Sequence, residues 1–210
     1  NAPFNQAAHK IASAIAAGSP VVIKPSEQTP LTAWRLARIL VDAGLPRGQL
    51  GLVYGRGNPT GESLLRDPRF ARFTFTGSAR TGKHILATVG IRPVALELGS
   101  NAPTIVFPDA DLELAAQASR SSGYAIAGQV CTSVQRLYVH ESVFDRFSDL
   151  FVSLVAKLKL GNPMDEATDV GPMLTDAAAE RADRVLRNAV EAGAKVLVGG
   201  RRDGRLFQPT

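Results

Sequence analysis

The spacing of apolar positions along this chain alternates between two periods. Residues 3–17 carry the helical spacing and stop at Gly18, with Pro20 just beyond, a pairing that ends helices. Val21-Val22-Ile23 is a short apolar run and predicts a strand. From Pro30 the helical period returns: Ala33, Leu36, Ala37 and Leu40 stand at i, i+3, i+4 and i+7. Thr29 is the expected N-cap of this helix, Pro30 its first turn and Gly44 its end. Further strands are predicted over Leu50–Tyr54, Phe73–Thr76 and Pro93–Leu98, and helices near Glu62–Arg66 and over Ser78–Val89. The alternation then continues. A strand is predicted over Thr104–Phe107, a helical run from Asp111 to Ala127 stopped by Gly128, and a strand over Arg136–His140. Beyond these come a helix over Ser142–Leu158, a loop over 161–174, a helix from its cap Thr175 to Ala192, and a strand over Lys195–Val198. Strands separated by helices are joined by crossovers, which makes the sheet parallel. The predicted class is α/β with a doubly wound parallel sheet, whose ligands sit at the carboxyl ends of the strands.

Three loops stand at such ends. Lys24-Pro25-Ser26-Glu27 follows the first strand; its charges read either as ligand contacts or as ordinary solvated groups. Gly55-Arg56-Gly57-Asn58-Pro59-Thr60-Gly61 has one residue more than the dinucleotide fingerprint between its last glycines. It reads equally as a plain strand-to-helix turn. Gly77-Ser78-Ala79-Arg80-Thr81-Gly82 leads from a strand into a helix. Free N–H groups and the positive dipole end there favour a phosphate, while Ser78 also fits a simple N-cap.

Composition narrows the class. Of 210 residues, 45% are hydrophobic and 20% charged, the balance of a globular protein with a sizeable core. No apolar run is long enough to span a bilayer. The net charge of +5 is uneven: residues 1–98 hold 12 Lys/Arg against 5 Asp/Glu, residues 99–210 hold 12 against 14. A basic first half suits an anionic ligand such as a dinucleotide. Its charges form no dense run and are not interleaved with aromatics, which argues against nucleic acid. One cysteine makes no internal disulfide, and a cytoplasmic protein is expected. The first residue is not Met and both ends read as cut, so a piece of a longer protein is expected.

Two residues stand out chemically. Cys131, the one cysteine, follows Gly128-Gln129-Val130 in a loop after a helix. A lone cysteine is ordinarily a small buried hydrophobe, but loops on a rigid scaffold are where reacting groups sit. Glu97 closes the apolar run Pro93-Val94-Ala95-Leu96, where a carboxylate needs a reason to be. His9, His84 and His140 fall in regular elements. Only His140 is a candidate imidazole partner for Cys131 in a Cys/His hydrolase, and no His/Cys cluster has metal-ligand spacing.

Val22-Ile23-Lys24-Pro25-Ser26-Glu27, Phe75-Thr76-Gly77-Ser78, Leu96-Glu97-Leu98-Gly99 and Gly128-Gln129-Val130-Cys131 come in an order and at intervals that resemble the aldehyde dehydrogenase superfamily. Pro172 and the closing Pro209-Thr210 fit as well. The resemblance implies a Rossmann-like cofactor domain over residues 1–98 and a catalytic domain over 99–210, both partial. It implies oxidation of an aldehyde to a carboxylic acid with NAD, or NADP, through a cysteine thiohemiacetal and thioester. Cys131 would be the nucleophile, Glu97 the general base that hydrolyses the thioester, and Asn1 with the Cys131 N–H the oxyanion donors. A half-buried carboxylate at Glu97 would be the stronger base. Lys24 and Glu27 would meet the adenine ribose and Ser78 the pyrophosphate, with Pro25, Ser26, Gly57, Gly61, Thr76, Gly77, Gly82 and Leu98 around the cofactor. Glu27 favours NAD by repelling a 2′-phosphate. The phrases around Leu98-Gly99-Ser100-Asn101 and Cys131 look most like members acting on small polar or phosphorylated aldehydes. A homo-oligomeric full-length protein is implied, with no membrane or nucleic-acid partner. The other reading is a non-catalytic piece that keeps part of a nucleotide site.

Overall fold

The computed structural model describes residues 2–210, which divide into two compact units, one ending at Gly99 and the other running over Ser100–Thr210. In the first unit α1 (Pro3–Ala16) leads to β1 (Val21–Ile23), α2 (Pro30–Asp42) and β2 (Leu50–Leu52). A wide turn over Gly57–Gly61 and α3 (Glu62–Arg66) lead to β3 (Phe73–Gly77), α4 (Ala79–Val89) and β4 (Val94–Leu98). β1 pairs with β2 and β3 with β4, both parallel, so each pair with its helix is a β-α-β unit. The second unit opens with a third, β5 (Ala102–Val106), α5 (Leu112–Tyr124) and β6 (Val134–Val139), also parallel. α6 (Phe144–Ala156) and α7 (Asp176–Glu191) follow, then an antiparallel hairpin of β7 (Arg202–Asp203) and β8 (Leu206–Phe207).

The helical spacing read from the sequence is the spacing that is buried. Ala33 and Leu36 of α2 meet Ala7 and Ile11 of α1, over Ile23, Leu50 and Leu52. In the second unit Leu112 and Ala116 of α5 meet Phe147 of α6 over Val106, Leu137 and Val139. Phe147 and Phe151, one helical turn apart, stack with ring centroids 5.9 Å apart. Arg92, just before β4, ties the first unit together. Its guanidinium donates to the carbonyls of Leu65, Asp67, Phe70 and Val89 and lies 4.9 Å from the Phe73 ring centroid.

Several elements differ from the expectation. The sheet is present as separate two-stranded ladders. Lys195–Val198 forms no strand; no other segment among the described residues runs beside it to complete a ladder, and an apolar run cannot supply its own partner. The short β7–β8 hairpin carries too few apolar residues to announce itself. The helix predicted over Ser142–Leu158 begins with a tight turn, Glu141–Val143, and ends at Ala156. The run from Asp111 ends at Tyr124, three residues before the predicted Ala127. There Ser133 Oγ donates to the Gly123 carbonyl at 3.0 Å, so a tertiary hydrogen bond takes an acceptor that a longer helix would have used.

Candidate active site

In the second unit Cys131 is exposed, in a turn between α5 and β6. The turn is pinned by its neighbours. Ser133, with 1% of its surface exposed, anchors it to α5 through Gly123. Ser133 N–H donates to the Val130 carbonyl at 3.1 Å and closes the turn around the cysteine. Ser122 Oγ donates to the Thr132 carbonyl at 3.3 Å, and Ser100 Oγ donates to the carbonyl of Cys131 itself. Three hydroxyls thus fix the backbone at residues 131–133 and the Ser133 N–H fixes it at Val130, while the Cys131 N–H meets no acceptor among the described residues. An N–H left free beside a nucleophile can receive a developing oxyanion. Asn1, the other expected donor, lies outside the described residues.

His140, the one imidazole considered as a partner for the thiol, is used elsewhere. Its Nδ1 accepts the Ser142 N–H at 3.2 Å and lies 2.9 Å from Ser142 Oγ, capping the turn before α6. No group of three His, Cys, Asp or Glu side chains among the described residues is arranged to hold a metal ion.

Glu97 stands on β4 in the first unit. The period of two puts Val94, Leu96 and Leu98 on the half-buried face and Glu97, with Ala95, on the open one. The expected half-burial is therefore absent: Glu97 is exposed, because its neighbours in sequence, not Glu97 itself, cover α4. Across the ladder its partner is Thr76, and two residues back Ala95 faces Thr74. Lys10 of α1 reaches the same face and donates from Nζ to Thr74 Oγ1 at 3.2 Å. Burial pushes the Lys10 ammonium down from its ordinary 10.5, and the nearby charge of Glu97 partly restores it. Lys10 was missed by sequence reasoning; a lysine in a helix carries no signal of a strand partner 64 residues further along the chain.

The three predicted cofactor loops are also in this unit. Lys24 Nζ donates to the carbonyls of Pro25 (3.0 Å) and Gly55 (3.1 Å) and stands 4.0 Å from Glu27. Glu27 Oε1 accepts the Gly57 N–H at 2.7 Å. The ends of β1 and β2 are thereby laced together, and Gly61 lies beside the Lys24 stem. Ser26 Oγ accepts from the Gln28 N–H at 3.3 Å, while the Thr29 side chain makes no capping bond. Ser78 is the N-cap of α4, accepting the Thr81 N–H at 3.2 Å. The Ala79 and Arg80 N–H groups then have no acceptor within the helix, the usual state of a first turn. Gly77 ends β3 opposite Leu98. Gly82 is buried, and a Cβ there would lie 2.9 Å from Leu98 Cδ2, so its part is to let α4 approach β4.

These residues fit a dinucleotide. The Thr76 hydroxyl, at the end of β3, is buried with no partner among the described residues; a buried polar atom of this kind wants an acceptor or donor. Two residues further on is the N-terminus of α4, which favours phosphate, and the same unit holds an acid-base pair, Lys24 and Glu27, suited to ribose hydroxyls.

Comparison with known proteins agrees on the family. The pattern of the aldehyde dehydrogenase family matches residues 1–210. A 3-sulfolactaldehyde dehydrogenase of Priestia aryabhattai is 48% identical over 210 residues, taking in 100% of this chain and 44% of that protein. A lactaldehyde dehydrogenase of Methanocaldococcus jannaschii is 41% identical over 214 residues, 100% of this chain and 46% of its own length. Among solved structures, glyceraldehyde-3-phosphate dehydrogenase from Methanocaldococcus jannaschii complexed with NADP superposes with a TM-score of 0.93 at 41% identity, covering 100% of this chain and 47% of its own. Betaine aldehyde dehydrogenase from Staphylococcus aureus in complex with NAD+ gives 0.93 at 37% identity, covering 100% and 43%. The chain thus spans less than half the length of the relatives it matches. With its parallel β-α-β units and its match over residues 1–210, the chain belongs to the aldehyde dehydrogenase family.

Proposed function

We propose that the protein to which this chain belongs oxidises an aldehyde to a carboxylic acid with NAD or NADP, and that Cys131 is its nucleophile. The observation that carries the reading is the pinned turn: the chain's one thiol is exposed while the backbone on both sides of it is held. A fixed backbone presents a sulfur to a carbonyl carbon without an ordering cost at the moment of attack. The Cys131 thiolate adds to the aldehyde carbon, forming a thiohemiacetal. The free Cys131 N–H receives the oxyanion. The cofactor, when bound, supplies the hydride acceptor. Cys131 then carries the acyl group as a thioester, and Glu97 takes a proton from the water that releases it as a carboxylic acid. Transfer to coenzyme A or phosphate would need no such base, so Glu97 favours a free acid as product.

Lys24 and Glu27 hold the adenine ribose, and Ser78 with the first N–H groups of α4 holds the pyrophosphate. Structures with NADP and with NAD+ among the similar proteins support a nicotinamide dinucleotide. Relatives named for sulfolactaldehyde and lactaldehyde support a small polar aldehyde. Glu97→Gln in the full-length protein tests the division of labour. It should release one burst of reduced cofactor and then stall, because the carboxamide cannot take the proton from water. Loss of the burst together with turnover would mean that Glu97 acts before the thioester and would reject its role as hydrolytic base.

A further inference from the structure

The segment between α5 and Cys131 is held in a shape its sequence resists. Ile126 (φ 51°, ψ 41°), Ala127 (φ 54°, ψ 39°) and Gly128 (φ 69°) follow one another in the left-handed region. Glycine adopts it freely, but residues with a Cβ do so only at a cost, and Ile126 is β-branched. Such backbone persists only where its surroundings over-determine it, and it gathers at functional sites. Packing is not what holds Ile126, whose side chain is an exposed large apolar group with 52% of the residue's surface open.

Gln129 holds it. The Ile126 carbonyl accepts from the Gln129 backbone N–H at 3.1 Å and from Gln129 Nε2 at 3.0 Å. At its other end the same amide accepts, through Oε1, the Leu174 N–H at 3.0 Å. A carbonyl only accepts and a backbone N–H only donates, so the two partners fix which way the amide faces. Leu174 ends the loop that precedes α7, and that loop is itself fastened: Asp169 Oδ2 accepts the Lys159 N–H at 2.9 Å, and Arg120 of α5 approaches Asp169 Oδ1 at 3.4 Å. One side chain, two residues before the thiol, therefore clamps the left-handed turn and ties it to a braced loop.

We infer that Gln129 is a positioning residue for Cys131: its amide keeps the 126–128 turn left-handed and so sets the direction in which the thiol is presented. The inference rests on Cys131 being the nucleophile. Removing the amide leaves the turn free to relax toward right-handed backbone, carrying the cysteine with it.

The test is made in the full-length enzyme with Gln129→Ala, Ala127→Gly and the double variant. Gln129→Ala should lower kcat by about a hundredfold, the scale of an ångström's misplacement, with KM for the cofactor unchanged. The pH profile of Cys131 alkylation by iodoacetamide should change with it. Ala127→Gly makes the left-handed turn comfortable without the clamp, so the double variant should recover about tenfold of the lost kcat. Gln129→Glu keeps the acceptor for Leu174 but sets a carboxylate against the Ile126 carbonyl, and should resemble Gln129→Ala. A Gln129→Ala enzyme that melts earlier yet keeps its kcat and alkylation profile overturns the inference. So does a double variant that regains stability but not kcat, and this arm decides if Gln129→Ala alone does not fold. Activity retained by Cys131→Ala would instead reject the nucleophile assignment, whatever Gln129 does.

Discussion

Glu27 shows how little of a residue's task its type reveals. A carboxylate next to a ribose repels a 2′-phosphate, and that alone would favour NAD. In the structure the same carboxylate also holds the Gly57 N–H, and Lys24 stands 4.0 Å away with the opposite charge. The two charges nearly offset for a phosphate, so discrimination between the cofactors should be about tenfold, or about 1.4 kcal/mol. Glu27→Gln keeps an acceptor for Gly57 and removes only the charge. The ratio of kcat/KM for NADP to that for NAD should therefore rise by about tenfold without loss of stability. An unchanged ratio would mean that Glu27 does not face the ribose. Lys10 offers a pH test. Its ammonium is pushed below 10.5 by burial, so the folded state releases this proton more readily than the unfolded chain. Stability then rises with pH through the window just below 10.5, and the cost of the buried charge is fully present at neutral pH. Lys10→Met should be more stable than the parent near pH 7, with the gap closing as pH climbs toward 10.5; melting curves across that range measure it. The candidate thiol and carboxylate were legible in the sequence because each is an oddity of type, a lone cysteine in a loop and an acid on an apolar strand. The hydroxyls of Ser100, Ser122 and Ser133 and the amine of Lys10 were not, because serine and lysine are ordinary anywhere and only folding gives them partners.

At the scale of elements, periodicity found the helices and most strands because burial follows it: Ala33, Leu36 and Ala37 are the buried residues of α2. It failed where partners outside the segment decide. The run after Asp111 stops at Tyr124 because Gly123 gives its carbonyl to Ser133, and Lys195–Val198 lacks a neighbour to pair with among the described residues. Gly82 was picked out for its spacing in a loop, yet what it does is geometric. A Cβ at that position would meet Leu98 Cδ2 at 2.9 Å and Cδ1 at 3.1 Å. Gly82→Val should push α4 off β4 and cost about 1–3 kcal/mol, as overpacking does. Urea unfolding of the full-length protein would show it, and affinity for the cofactor should fall too, since the N-terminus of α4 moves with the helix. A variant as stable as the parent would mean that Leu98 gives way without strain.

For the whole molecule, the charge asymmetry read from the sequence matches the division of labour proposed here. The basic excess belongs to residues 1–98, where the Lys24, Gly57 and Ser78 loops are, and the thiol belongs to the nearly neutral remainder. No helix among the described residues is long and apolar enough to cross a membrane. The family was legible because four short motifs keep their order and spacing over the chain, a pattern that one motif alone does not carry. The substrate was not, because the side chains that select an aldehyde are set by shape rather than by a motif. The central claim is that Cys131 carries the acyl group. It is tested most directly by mixing full-length Glu97→Gln enzyme with an aldehyde and NAD, quenching in acid, and weighing the peptide that contains Cys131. The peptide should gain the mass of the acyl group only when both aldehyde and cofactor are present, and Cys131→Ala should gain none. Reduced cofactor formed with no acyl mass on Cys131, or with the mass on another residue, would contradict it.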